Sequence, residues 1–453
     1  MAQTYLTKTF GSSGNLDVWT VSFWVKKAMI ITGNDQYVMH AQTNADNQTG
    51  IALRGSGDNY VLQCFNAVSA SANNGFNVYT SMYFRDPSAW YHIVVACNTA
   101  ESSGTNGLKI YVNGTLQTTT VGAWNQNVDT QFSKNQQHVV GAKTGNSLGF
   151  NGYLAQFIFA NGTQYAASTF GSTNADGVWI PNTQPSVTYG SNGFKLDFLG
   201  SGASADSSGF GADASGNNNH FASNNLGTNP NTKDGPANNF ATLNPLDLRA
   251  GGSNDDYDKG NLQRLTSSAN RNYSTMTQAI QSGKWYLECK FTAGASNGYV
   301  GFCDMSDLQA NAANTLGDKS NEARVNNDGS YEKNNSTTSG WAGSFTDNDI
   351  LGLALDCDNN RFTVSKNGQW ADGSGNYDEA NPTAYITYTT GNFMSFAFGE
   401  GAGGANATIQ VNAGQPIFTI ASGNADANGY GSFEFAVPSG YYALCTKNMG
   451  TYG

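Results

Sequence analysis

Two carboxylates within reach of one sugar ring are the first chemistry to look for in a chain of this kind, and the glutamates do not supply them. Glu101 is the only glutamate before Glu288, and it lies in the loop-like stretch ESSGTNG. A retaining glycoside hydrolase holds its two carboxyl groups about 5 to 5.5 Å apart. Acid and nucleophile in the first half would therefore both have to be aspartates. GNSLG, from Gly145 to Gly149, matches G-x-S-x-G in form. A nucleophile elbow leads from a strand into a helix, whereas a strand-like run starts at Phe150, so Ser147 reads as a turn residue. GEGAGG, from Gly399 to Gly404, matches G-x-G-x-x-G, but the strand-like ATIQVNA follows where a dinucleotide site needs a helix. His40, His92, His138 and His220 share no zinc-ligand spacing with one another or with Cys. Cys64, Cys97, Cys289, Cys303, Cys357 and Cys445 stand far apart without a C-x-x-C pair, which reads as buried free thiols. No catalytic residue, no metal ligand set and no enzyme activity is assigned from these patterns.

The elements that would position any site are strands. In GLKIYVNG, Leu108, Ile110 and Val112 alternate with Lys109, Tyr111 and Asn113, and Asn113-Gly114 is a favoured hairpin turn. In KWYLECKF, Trp285, Leu287, Cys289 and Phe291 oppose Tyr286, Glu288 and Lys290, a pattern that predicts a sheet with one wet face. ILGLALDCDNNRFTVSKNG reads as a hairpin with Leu351, Leu353 and Leu355 on one arm and Phe362 and Val364 on the other, turning at Asp358-Asn359-Asn360. Only Ser274 to Ser282 and Leu308 to Leu316 are compatible with short helices. The fold class is all-β.

Composition agrees with that class. Charged residues make up 12% of the 453, so Asn, Gly, Ser and Thr supply most of the solvated surface and favour turns and strands. The formal charge of -11 argues against counterion-release binding to nucleic acid and against docking on anionic lipid. MAQTYLTKTF lacks the basic region followed by an apolar stretch that marks a signal peptide, and no run of 18 apolar residues is present to suggest a membrane span. Between about Gly200 and Ala237 the chain is polar, small and turn-prone. The expected organisation is a sandwich over 1–182, a Gly/Asn/Ser-rich connector over 183–237 and a second sandwich over 238–453. His220-Phe221 and Leu226 leave open whether the connector is a flexible linker or an ordered strap.

VSFWVKK (Val21 to Lys27), WYHIVVACN (Trp90 to Asn98), LKIYVNG and GFNGYLAQFIFANG (Gly149 to Gly162) together resemble strands of the laminin-G or concanavalin-A-like lectin superfamily. GKWYLECKF, GYVGFCD, LGLALDCDNNRFTVSKNG and VNAGQPIF (Val411 to Phe418) resemble the SPRY family. YGSNGFKLDF, DASGNNNHF, DGPANNFATLNPLD and YYALCTKNM resemble segments of structural and tail-associated proteins of marine tailed phages.

These resemblances imply two β-sandwiches, concanavalin-A-like followed by SPRY-like, in a bacteriophage virion protein made in the host cytoplasm. It would be a fibre, tail appendage or capsid decoration present in several copies or as a homo-oligomer. Its partners would be other virion proteins and host cell-surface glycans. Glucanases of the first superfamily commonly carry an E-x-D-x-E strand, which this chain lacks. Two rival readings remain: a glycan depolymerase that uses aspartates, and a purely architectural decoration protein. For ligand binding, Trp124, Asn125 and Asp129 in AWNQNVD combine an aromatic with hydrogen-bonding neighbours on a loop, although Trp124 packed under its own loop gives the same pattern. Lectin-like sandwiches often hold calcium in loops, which makes Asp35, Asp46, Asp58 and Asp129 candidates that also serve as ordinary turn residues. Trp341 and Trp370 lie where SPRY domains carry ligand surface, or else close the end of the sandwich.

Overall fold

A computed structural model describes residues 3–28, 34–55, 60–227, 231–247, 256–266, 273–307, 316–389, 393–401 and 406–453. The chain is all-β and divides into two units, Met1–Asn231 and Thr232–Gly453. Each is a β-sandwich.

In the first unit an eight-stranded sheet runs in the order Thr119–Trp124, Ser71–Thr80, Leu62–Val68, Asn47–Leu53, Gln36–Asn44, Gln137–Val140, Tyr5–Thr9, Ala222–Asn224. A six-stranded sheet runs Phe194–Leu196, Gly152–Asn161, Val18–Lys27, Tyr91–Asn98, Leu108–Val112, Thr115–Leu116. Alternation selects the inner faces: Val21, Phe23 and Val25 from one sheet share a core with Ile51, Leu53, Leu62, Cys64, Phe76 and Val78 from the other. The turn after Val112 forms as the residue types demand, with Asn113 at φ 47° and Gly114 at φ 82°. Both lie in the left-handed region that a two-residue hairpin turn of this kind needs.

The stretch read as a connector contributes to this core. Phe194–Leu196 pairs with Gly152–Asn161, and Ala222–Asn224 pairs with Tyr5–Thr9. Phe194 packs against Phe157 at 6.1 Å and Phe221 at 4.6 Å between ring centroids. The division between units accordingly falls after Asn231, not at 182 or 237. Two buried aromatics spaced far apart in a polar background are enough to anchor such a strap, because each removes apolar surface comparable to a core strand residue.

In the second unit a ten-stranded sheet has the central order Gln263–Leu265, Thr408–Asn412, Lys284–Ala293, Ile350–Asp356, Arg361–Lys366. Its six-stranded partner runs Tyr273–Thr275, Met394–Glu400, Gly298–Asp304, Ala323–Asn326, Tyr331–Lys333, Ser336–Thr338. Phe302 of one sheet meets Phe362 of the other at 5.1 Å. Leu351, Leu353, Leu355, Phe362 and Val364 are all buried, as the hairpin pattern requires.

The face of Lys284–Ala293 carrying Tyr286 and Glu288 is not wet: both are fully buried. Phe433, Tyr441, Ala443 and Cys445 from the C-terminal segment pack there with Tyr286 and Trp370. The stretch Ser274 to Ser282 begins inside the strand Tyr273–Thr275 and contains no helix, because the sheet register with Met394–Glu400 claims it. The other helical candidate, Leu308 to Leu316, lies outside the described residues except for its last residue. A helix that alternation does not announce, Thr446–Tyr452, closes the chain. Among the described residues, no helix is long and apolar enough to cross a membrane.

Candidate functional site

The loop residues singled out for ligand binding are largely spent on the fold. Trp124 stacks on Phe76 at 5.3 Å, and its Nε1 donates to the Glu101 carbonyl at 2.9 Å. A Cβ placed on Gly107 would lie 2.0 Å from the Trp124 ring, so glycine is required for the indole to seat. Asn125 donates from Nδ2 to the carbonyls of Asn73 and of Gly75, the latter at 3.2 Å. Asp129 is exposed, and its backbone carbonyl accepts from Asn66 Nδ2 at 3.1 Å. Gly107→Ala is expected to displace the indole and to cost about 1–3 kcal/mol, the usual range for overpacking, read as a lower thermal midpoint.

The outer face of the eight-stranded sheet gathers a different set. Because Ile51, Leu53, Leu62, Cys64, Phe76 and Val78 point into the core, Ala52, Gln63, Phe65, Asn77 and Tyr79 point away from it. Register then aligns them in two rows. Tyr37 pairs with Ala52, Ala52 with Gln63, and Gln63 with Tyr79. His40 pairs with Gly50, Gly50 with Phe65, and Phe65 with Asn77. Gly50 is where the rows converge: the rings of Phe65 and Tyr37 approach its virtual Cβ to 2.7 and 3.0 Å, so the two aromatics lie across the glycine, where they are buried with Ala52 and Ala67 and Leu148 packs against them. Their ring centroids are 6.3 Å apart, edge to face.

A polar chain runs along the same face. Gln63 Nε2 donates to Asn77 Oδ1 at 2.8 Å, Asn77 Nδ2 donates to the Tyr79 hydroxyl, and Arg54 Nη1 donates to the same hydroxyl at 3.3 Å. Tyr79 Oη, accepting twice, keeps its own proton to give away. Arg54 Nε is a buried atom that forms a long ion pair with Asp35 at 3.7 Å and has no hydrogen-bond acceptor among the described residues. Lys143 extends its ammonium over the Tyr37 ring at 5.7 Å. His40 accepts from the Thr144 amide at Nδ1, so its proton sits on Nε2 and is donated to Gln48. Burial holds its pKa down at about 4, and the ring is neutral at physiological pH.

A serine and a histidine do meet on the opposite sheet. Ser22 Oγ lies 2.9 Å from His92 Nε2, with both residues buried. Indole nitrogen can only donate, and Trp179 Nε1 donates to His92 Nδ1 at 3.0 Å. The imidazole proton is thereby fixed on Nε2, facing Ser22. A general base needs a lone pair at that atom, so this tautomer cannot accept the serine proton. Burial also lowers the His92 pKa to about 3.

Among the described residues the calcium candidates do not converge. Asp35 lies against Arg54, Asp46 sits in the turn capped by Asn44 Oδ1, and Asp58 is outside the described residues. Asp129 lies close to Asp17, which sequence reasoning did not single out, and burial followed by that neighbour raises the Asp17 pKa. Among the described residues no three His, Cys, Asp or Glu side chains group as metal ligands. In the second unit Trp341 and Trp370 are both buried. The six cysteines are free and buried, and Ser147 lies in the turn closed by the Lys143 amide on the Ser147 carbonyl.

Fold and face together define a protein of two β-sandwiches, the first with a polar row beside a buried aromatic cluster on the outer face of its eight-stranded sheet. Residues 3–168 match the family model of the concanavalin A-like lectin/glucanases superfamily. Among solved structures, the chain is similar to the SPRY domain of human HERC1, at 11% identity and a TM-score of 0.30, covering 39% of this chain and 99% of that one. It is similar to a heptameric SAP-like pentraxin from Limulus polyphemus, at 16% identity and a TM-score of 0.28, covering 42% and 95%. It is also similar to stonustoxin, at 14% identity and a TM-score of 0.29, covering 38% of this chain but only 27% of that one. No curated protein matches the chain.

Proposed function

We propose that this chain is a virion surface protein of a tailed phage, a fibre, tail appendage or capsid decoration. In this reading its first sandwich binds host-surface glycan through the outer face of the eight-stranded sheet. The observation that carries the binding reading is the polar row Gln63–Asn77–Tyr79–Arg54 on the outer face of the eight-stranded sheet, where Arg54, Asn77 and Tyr79 are partly exposed. Sugars combine apolar C–H faces with hydroxyl rings, and sites for them pair aromatic carbon with a few fixed hydrogen-bonding groups. The match of residues 3–168 to a superfamily of lectins and glucanases supports the same reading. The virion assignment rests on the resemblance of the segments around the inter-unit division to phage structural proteins. Other virion subunits are its remaining partners, and repeated copies on the particle would turn weak individual contacts into avidity.

Binding is tested on a glycan array with the full chain and with Tyr79→Phe. The variant removes a hydroxyl that Asn77 and Arg54 both donate to, leaving those donors without a partner. It is expected to weaken binding roughly tenfold, equivalent to about 1.4 kcal/mol. An array with no signal under multivalent display would count against glycan binding, and release of reducing ends would replace it with depolymerase activity. Mass spectrometry of purified virions tests the particle assignment, which fails if the chain is missing from them.

A further inference from the structure

The eight-stranded sheet ends in the strand Thr119–Trp124, which pairs on one side only, with Ser71–Thr80. The Ser81 amide donates to the Thr118 carbonyl at 3.0 Å, and Thr119 stands opposite Thr80. That makes Thr119 and Thr80 a pair without mutual hydrogen bonds, so by alternation Thr119 and Val121 turn their own N–H and C=O groups to the open side. A register shift between Val121 and Ala123 ends the regular ladder there. Native sheets commonly guard such an edge with charge or proline. In the second unit the edge strands Asp256–Asp258 and Tyr377–Glu379 each carry two acidic side chains. Thr119–Trp124 carries none, and no charged residue occurs from Ile110 to Val128 on a chain whose net charge is -11. Apolar side chains lie along this margin instead. Leu116 and Val121 are 54% and 36% exposed, and Tyr83, two residues beyond Ser81, is 46% exposed.

We propose that this edge joins two copies of the chain, antiparallel, about a two-fold axis through Thr120. In that register Thr119 of one copy faces Val121 of the other, and each such pair exchanges both of its N–H···O bonds. Thr120 meets Thr120 on the axis, so every pair in the join is β-branched, a favourable cross-strand combination. A second copy fits better than a foreign strand for two reasons. The segment is its own complement about the axis, and its neutrality lets two chains of charge -11 meet without setting like charges opposite one another. A contact that uses the same patch on both partners closes on itself, so it yields dimers rather than filaments. The proposal goes beyond the glycan reading and does not rest on it.

Sedimentation velocity of the full chain without glycan, from about 1 to 200 µM, reads the association. A monomer–dimer equilibrium that shifts with concentration is expected. Thr120→Lys sets two ammonium groups opposite each other on the axis and is expected to raise the dimer Kd roughly tenfold or more. The same change reduces the net negative charge of the chain by one, which by itself favours association, so a loss on adding lysine reports the local contact. Thr120→Glu is expected to weaken the dimer alone, and an equimolar mixture of the two variants to recover it, because lysine then faces glutamate. Thr337→Lys, on the exposed edge strand Ser336–Thr338 of the second unit, should leave the Kd unchanged. Val121→Pro removes an outward N–H and no bond to Ser71–Thr80, so it should abolish the dimer and carries the comparison if melts show the charged variants unfolded. A parent chain that stays monomeric throughout overturns the proposal, as does a dimer indifferent to Thr120→Lys or one that Thr337→Lys disrupts equally. A monomeric parent whose Thr119 and Val121 amides gain exchange protection only on adding other virion proteins assigns the edge to a foreign strand and overturns the second copy.

Discussion

Glu288→Ala is expected to destabilise the second unit by about 3–5 kcal/mol, the cost of leaving buried partners of a carboxylate unsatisfied. The side chain is fully buried on the outer face of the ten-stranded sheet. Its oxygens accept from the Glu434 amide at 3.0 Å, the Phe435 amide at 2.8 Å, Asn412 Nδ2 at 3.2 Å and the Tyr286 hydroxyl at 3.2 Å. Two of these donors belong to the backbone of the C-terminal segment, so removing the carboxylate strands them where water does not reach. Burial raises the Glu288 pKa, with the four hydrogen bonds opposing it. A carboxylate whose folded pKa is raised makes the folded state bind more protons than the unfolded state between the two values. Stability from this group therefore falls as pH rises through that window, and rises on mild acidification. Denaturant titrations at neutral and mildly acidic pH check both parts. The alanine variant should show a large drop in midpoint, and its pH slope should lack the Glu288 contribution. A drop below 1 kcal/mol would mean that the C-terminal segment is held mainly by Phe433 and Tyr441.

The same residue marks the limit of reading this fold from sequence. Alternation in KWYLECKF separates Trp285, Leu287, Cys289 and Phe291 from Tyr286, Glu288 and Lys290, and that division holds in space. What alternation cannot say is whether the second face meets water. The segment that covers it is rich in Gly, Asn and Ser, and reads as loop until Phe433, Tyr441 and Ala443 are seen to land on Tyr286. Phe194 and Phe221 act in the same way in the first unit, where isolated aromatics in a turn-prone stretch complete a distant core. Local pattern fixes strands and turns such as Asn113-Gly114. Coverage of a sheet's outer face is a long-range property with no period of its own.

The candidate site was less legible than the fold for a related reason. AWNQNVD draws attention because its aromatic and amides are contiguous, yet contiguity on a loop lets Trp124 and Asn125 satisfy themselves against Gly107, Glu101 and Gly75. The outer-face set is spread over Tyr37, Gly50, Arg54, Gln63, Phe65, Asn77, Tyr79 and Lys143, one or two residues per strand. A usable signal was present: Gln63 and Phe65 alternate with Leu62 and Cys64. Joining the strands into rows, however, depends on register shifts between Tyr37 and Met39 and between Asn66 and Val68. A shift of one residue reverses which side chains share a face, and neither bulge is announced by a Gly or Pro. The Ser22–His92 contact likewise joins two strands by register, and only the third partner, Trp179, decides what it can do.

Lys27→Met is expected to stabilise the first unit, by up to about 3 kcal/mol at neutral pH if the whole shift from 10.5 to about 8 reflects the cost of holding an ammonium out of water. Lys27 ends the strand Val18–Lys27 on the same side as Val21, Phe23 and Val25, and is 3% exposed. Among the described residues its compensating contact is the Tyr60 ring, 4.5 Å from the ammonium, which offsets the desolvation by no more than about 2 kcal/mol. Methionine keeps the unbranched stem and the ring contact without the charge. The net gain is therefore smaller than the full shift, on the order of 1–2 kcal/mol. The sign of the pH dependence follows from the lowered folded pKa. Between about 8 and 10.5 the unfolded chain holds a proton on Lys27 that the folded chain has released. Stability of the parent protein consequently climbs across this interval as pH rises, the penalty being fully present below it. In Lys27→Met that climb should be missing, so the two proteins differ most near pH 7 and converge toward pH 10.5. Equal stability at pH 7, or parallel profiles through the alkaline range, would show that the ammonium reaches solvent in the folded protein and that its burial costs little.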